Sequence, residues 1–256
     1  MKHLRSALKA YFTKYFPPVF QRFTSNILHS KLLLIHIYSR SNHKIIQYQN
    51  VVPVKYLDEI HDGKFSNLHE KYALLDTHLA KNSNVTRLRV YTLCTWAQSA
   101  LTNTKTGDFL AAGISFGTSS LIVSNYLNLQ SFGRKQYFVD PMDGRGRTDY
   151  NTSRQLVESR WNSEVPLIWI QKPLSVLALE NVSNLAFVHL NTNALEAEIE
   201  CLPILYKTLA SGGVIVMDIY GWRSREEQLI VNRLLESLGA KFFVSPTLQL
   251  IILKQN

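Results

Sequence analysis

Two glycines bracket the segment Gly113-Ile114-Ser115-Phe116-Gly117-Thr118, which lies between a short apolar run and a helix-forming stretch. Glycine permits tight turns and close backbone approach to a ligand, and a helix start presents free amides. A structural turn with a Thr or Ser helix cap fits the same residues. About 25 positions on, a second apolar run ends in Asp140, followed by Asp143 and Gly144. An acid at the end of such a run can accept both hydroxyls of a ribose, or simply cap its own loop. Two later runs end in His189-Leu190-Asn191 and Met217-Asp218-Ile219. His189 could act as a base or sit hydrogen-bonded in the core.

Other reactive residues form no pattern. His69 and His78 lack metal-ligand spacing, and Cys94 and Cys201 have neither CxxC spacing nor a nearby His, so the cysteines are expected in the core. The basic turn Gly144-Arg145-Gly146-Arg147 suits an anionic group or plain solvent.

The elements that must hold these residues follow from the apolar pattern. Short runs at 109–112, 136–140, 167–170, 185–190 and 214–218 predict strands, and the segments 118–129, 152–161, 195–209 and 225–238 predict helices between them. Continuous apolar strands alternating with helices imply a parallel sheet covered on both faces. Runs at 241–244 and 248–253, separated only by a Ser245-Pro246 turn, require an antiparallel pair. Helical spacing also marks 67–81 and 88–101. In an open parallel sheet, ligands bind beyond the carboxyl ends of the strands, where all the candidates lie.

The order Gly107-Asp108, Gly113 with Gly117, Asp140 with Asp143-Gly144, Leu205-Tyr206, Gly212-Gly213 and Asp218-Ile219-Tyr220-Gly221-Trp222 resembles the macrocin O-methyltransferase family of class I S-adenosylmethionine-dependent enzymes. The likeness spans about 87–252. It implies a seven-stranded Rossmann-like α/β sheet whose last strand is antiparallel. It further implies S-adenosylmethionine as cofactor, with Gly113, Gly117 and Thr118 at its methionine part and Asp140 and Asp143 toward its ribose. Relatives hold a divalent metal on an aspartate after the fourth strand and an aspartate pair after the fifth. Those positions are Asn191, Asp218 and Ile219, so one carboxylate of three remains and no metal site is expected. Ala111 replaces a family acid, and Leu195 an aromatic. Asp218 is then the expected base, with Asn191 orienting the acceptor and His189 in reserve.

Composition narrows the remaining choices. Of 28 Lys and Arg, nine fall in the first 57 residues, which contain no acid, leaving 19 to balance 19 acids beyond. The later chain is therefore neutral, and nucleic-acid binding is not expected of it. Three regions are expected: a basic extension over 1–57, a helical cap over 58–105 and an α/β domain over 106–256. The extension reads as a cap on the domain, as an amphipathic anchor giving peripheral membrane contact, or as a targeting peptide. No apolar run is long enough to span a bilayer, and two cysteines make no disulfide framework, which together suggest a cytoplasmic, at most membrane-peripheral, protein. The expected function is O-methylation of a sugar or glycosylated natural product. The alternative is a non-catalytic binding or assembly module on the same fold. Acceptor identity and oligomeric state are not encoded in any motif.

Overall fold

The computed structural model describes residues 62–73, 83–114, 117–140, 154–155, 157–161 and 164–255. The basic extension, Asp143, His78 and the Gly144–Arg147 turn lie outside them. The chain divides into two units, Met1–Glu59 and Ile60–Asn256, and only the second is described.

Seven strands form one sheet: β1 (Asp108–Ala112), β2 (Gln136–Val139), β3 (Leu167–Ile170), β4 (Leu185–Leu190), β5 (Leu209–Met217), β6 (Lys241–Val244) and β7 (Leu250–Leu253). Their order is β3-β2-β1-β4-β5-β7-β6. The first five strands run parallel, and β7 lies antiparallel between β5 and β6. This is the expected seven-stranded sheet with an antiparallel β7. Strand order reverses between β1 and β4, and the register pairs Ala112 with Leu190 at that boundary. Such a reversal opens a crevice beyond the strand ends, because the connections on its two sides leave in opposite directions.

Helices α1 (Gly63–Ala73), α2 (Ser83–Asn103), α3 (Thr118–Leu127), α4 (Leu195–Thr208) and α5 (Arg225–Ser237) flank the sheet. Leu110, Val188, Leu190, Ile215 and Ile252 share one buried cluster with Leu202 and Leu205 of α4 and Val231 and Leu235 of α5. Helix α2 packs on β4 and β5, and α1 and α2 both meet α3. Helix α2 is buried on most sides, which explains the apolar residues spread around it from Leu88 to Leu101. Its threonines are satisfied within the helix: Thr92 and Thr95 each donate to the carbonyl four residues back at 2.9 Å. Cys94 and Cys201 are free and buried, as core residues should be.

Helix α1 begins at Gly63 rather than 67 and α2 at Ser83 rather than 88, and three further boundaries differ for local reasons. β5 begins at Leu209 rather than 214, because Leu209 pairs with Leu185 and the irregularity before Phe187 is matched by Gly212 at φ 83°. β7 begins at Leu250 because Leu248, at φ 65°, still belongs to the turn in which its amide donates to Ser245 O at 2.9 Å. α3 ends at Leu127, where Asn128 takes the left-handed conformation and a 3-10 turn follows.

Helix α5 starts in a capping box. Ser224 Oγ accepts from the Glu227 amide at 3.3 Å, and Glu227 Oε2 accepts from the Ser224 amide at 2.7 Å. Ser224→Ala should therefore lower unfolding stability by about 1 kcal/mol in urea titration.

Candidate active site

The first half of the site is the junction of β1, β2 and β4. Gly113 follows β1 with φ 75°, its amide donates to Val139 O at 3.0 Å, and the Asn191 amide donates to Ala112 O at 2.9 Å. A Cβ on Gly113 would stand 2.4 Å from Asn191 O, so only glycine lets the turn run this close to the end of β4. Ile114 N–H donates to Asp140 Oδ2 at 2.8 Å, tying the acid after β2 to the turn after β1. Gly117, at φ 68°, closes the loop with its amide on Ile114 O at 2.7 Å. A Cβ there would stand 2.4 Å from Val157 Cγ2.

Thr118 opens α3 and is only 3% exposed, yet its Oγ1 has no hydrogen-bond partner among the described residues. It is not the helix cap that its type suggested; Gly117 occupies that position without a side-chain bond. A buried hydroxyl without a partner beside the first free amides of a helix is a polar group in need of one. These features gather the Thr118 hydroxyl, the first amides of α3 and the Asp140 carboxylate around one glycine turn at the strand ends.

The second half lies beyond β4 and β5. The Asp218 amide donates to Leu190 O at 2.7 Å, holding the two strand ends together. Its carboxylate is claimed from two sides: Arg89 Nη2 of α2 stands 2.8 Å from Oδ2, and the Gln249 amide nitrogen donates to Oδ1. Arg89 also donates to the Asp218 carbonyl. Burial alone would raise the Asp218 carboxyl, but the Arg89 guanidinium and nearby His189 outweigh it and hold the group well below the usual carboxylate range. His189 is buried in β4 with Nε2 3.8 Å from Asp218 Oδ1, and that nitrogen has no hydrogen-bond partner among the described residues. The Arg89 guanidinium lies 5.8 Å from the centre of the Trp222 ring, and Trp222 is 42% exposed.

A third group stiffens the loops. Glu198, fully buried on α4, accepts from Thr192 Oγ1 at 2.7 Å and from Arg223 Nη2 at 3.0 Å. It thereby links the loop after β4 to the loop after β5. The sequence reading missed both Arg89 and Glu198. Arg89 sits far upstream of every motif, and Glu198 looks like one exposed acid among the Glu196, Glu198 and Glu200 of an amphipathic helix.

The residues do not fit a divalent metal. Asn191, Asp218 and Ile219 offer one carboxylate, and a guanidinium already neutralises it. Among the described residues, no three His, Cys, Asp or Glu side chains cluster. Likewise, no described helix is long and apolar enough to cross a membrane.

No protein-family model and no curated protein matches the chain. Solved structures do. A Podospora anserina methyltransferase bound to S-adenosylhomocysteine superposes with TM-score 0.53 at 11% identity, covering 79% of this chain and 93% of its own. A TDP-rhamnose 3′-O-methyltransferase of calicheamicin biosynthesis gives 0.51 at 11%, covering 74% and 92%. A Corynebacterium glutamicum protein gives 0.50 at 12%, covering 89% and 98%. The chain has the fold of class I S-adenosylmethionine-dependent methyltransferases.

Proposed function

We propose that the protein is an S-adenosylmethionine-dependent O-methyltransferase related to the macrocin O-methyltransferases, with a sugar or glycosylated natural product as acceptor. The observation that supports the cofactor assignment is the turn after β1: Gly113 with no room for a Cβ, a Thr118 hydroxyl without a partner among the described residues, and Asp140 tied to the same turn through Ile114. Gly113, Gly117 and Thr118 would face the methionine part. Asp140, with Asp143 three residues further along the sequence, would take the ribose. A carboxylate accepts several hydrogen bonds at once, so the bond from Ile114 that orients Asp140 is compatible with ribose hydroxyls. The acceptor class draws its support from the family resemblance and from the sugar O-methyltransferase among the structural neighbours.

When bound, the cofactor would supply a sulfonium-activated methyl group for an acceptor hydroxyl, leaving as S-adenosylhomocysteine, and this chain's residues would have to place that hydroxyl and take its proton. The loops after β4 and β5 position the acceptor, with Asn191 as the orienting side chain. Asp218 was the base expected from the sequence. Its ion pair with Arg89 favours the charged form and leaves it weakly basic, so we assign the proton to His189 Nε2 and give Asp218 the stabilisation of the resulting imidazolium. His189→Ala should lower turnover ~10²- to 10⁴-fold and leave cofactor affinity intact.

The reading is tested by thermal shift and calorimetry with S-adenosylhomocysteine. Binding should raise the melting temperature by mass action, and Asp140→Ala should weaken binding by about 1 to 3 kcal/mol. Unchanged affinity in a folded Asp140→Ala protein would remove Asp140 from the site.

A second reading, a non-catalytic binding or assembly module, is favoured by Ala111 in place of an acid and by the engagement of Asp218 with Arg89. Cofactor binding without methyl transfer to any hydroxylated acceptor would select it. For the basic extension, we propose a role in acceptor capture or in attachment to anionic lipid. Salt-sensitive co-sedimentation with anionic vesicles would select lipid attachment.

A further inference from the structure

We propose that Arg89 is the resident cation of this site, a side chain that fills the place a divalent metal holds in metal-dependent relatives. The inference rests on the site assignment above for its catalytic meaning, but its physical basis is independent of the cofactor. Asp218 is the one carboxylate left of the three metal positions, and it lies at the end of β5 with its amide on the end of β4. A guanidinium reaches it from α2, a helix outside the strand-end loops. The pair is close at 2.8 Å, and both side chains are largely buried, at 12% and 13% exposure.

The contact is built from several sides. Arg89 binds both the Asp218 carboxylate and the Asp218 carbonyl. Gln249 bridges the two partners, donating to Asp218 Oδ1 and, at 3.4 Å, to the Arg89 carbonyl. Gln249 is itself fixed, since its Oε1 accepts from Thr247 Oγ1 at 2.5 Å, and Thr247 lies 2.7 Å from Ser245 Oγ and 3.4 Å from Thr92 Oγ1 of α2. A chain of buried polar groups thus runs from the β6–β7 turn to the ion pair and back to the helix that supplies the arginine. Such a network specifies one arrangement, because any missing member leaves a buried group unpaired.

The substitution has a chemical logic. A metal at such a site neutralises carboxylates and presents positive charge to an oxygen of the acceptor. One guanidinium balances one carboxylate, which matches the loss of the other two: with Asn191 and Ile219 in their places, a divalent ion would carry excess charge into a buried site. Arg89 also extends toward Trp222, whose exposed ring would pack on the apolar face of a sugar beside the Asp218 pair. Arg89 is therefore a positioning residue that acts through Asp218.

The test uses the full chain and four variants: Arg89→Lys, Arg89→Ala, Asp218→Asn and the double variant Arg89→Ala with Asp218→Asn. Melting temperatures are read with no addition, with methylguanidinium, with Mn²⁺ and with EDTA, and free Mn²⁺ is followed by its paramagnetic resonance signal. The wild type should ignore Mn²⁺ and EDTA. Arg89→Ala should melt several degrees lower, regain part of the loss with methylguanidinium, and lose that rescue when Asp218 is also changed. Arg89→Lys should keep part of the wild-type stability because it retains the charge. If Arg89→Ala does not fold, Arg89→Lys and the double variant carry the test, and both should be folded and indifferent to Mn²⁺. Binding of Mn²⁺ by the wild type that Asp218→Asn abolishes would overturn the proposal. So would an Arg89→Ala protein as stable as wild type, or rescue by methylguanidinium that persists without Asp218. S-adenosylhomocysteine titration of the wild type separates the two ideas: its failure would remove the methyltransferase reading and leave the cation result standing.

Discussion

Gly113→Ala is expected to abolish S-adenosylhomocysteine binding and to lower unfolding stability by about 2 to 5 kcal/mol. Two effects add. The residue holds φ 75°, which a Cβ disfavours, and the new carbon would lie 2.4 Å from Asn191 O and 2.6 Å from its carbonyl carbon. Those are backbone atoms at the end of β4, so no side chain can rotate away, and the crevice itself must open. Gly133 provides the control. It has a similar φ of 62° but nothing within 4 Å of its built Cβ, so Gly133→Ala should cost only the conformational part, about 1 to 2 kcal/mol. Urea unfolding of both variants, with calorimetry on each, separates strain from collision. A Gly113→Ala protein no worse than Gly133→Ala would show that the β1 turn is not tight.

Asp218→Ala should be the other severe change, at about 3 to 5 kcal/mol, because it strands the Arg89 guanidinium in a buried position with its partner gone. Changing Arg89 together with Asp218 should recover part of that loss, since the double variant buries no unpaired charge. The ion pair also predicts an acid limb. The folded carboxyl titrates below its ordinary value of 3.8, so its contribution is complete above that value and disappears as pH falls through the folded one. Stability of the wild type should therefore drop more steeply below about pH 4 than that of Asp218→Asn. Parallel pH curves would mean that Asp218 gains nothing from its partner in the folded state.

The sheet was readable because its central strands bury both faces and so read as continuous apolar runs. β3, β4 and β6 fall on the expected residues, since continuous apolar runs bounded by polar turns leave little choice of limits. The edges of β5 and β7 were less readable, because they depend on a bulge and on a left-handed Leu248 that no periodicity encodes. Within the site, the glycines and Asp140 announced themselves by position after a strand, and the structure brings Gly113, Ile114, Asp140 and Asn191 together at the sheet's reversal. Arg89 and Glu198 did not, because their significance is entirely tertiary. One of two arginines on a helix becomes informative only when folding places it 2.8 Å from an acid 129 positions away. The loss of metal carboxylates was visible in the sequence; the guanidinium at that place was not.

S-adenosylmethionine is proposed to bind in the crevice beyond the ends of β1 and β4. Calorimetric titration of the full chain with S-adenosylhomocysteine tests it most directly, with Gly113→Ala and Asp140→Ala beside the wild type. Binding should be saturable at one site per chain, weakened in Asp140→Ala and absent in Gly113→Ala. No heat of binding to a folded wild-type protein, or equal affinity in all three, would contradict it.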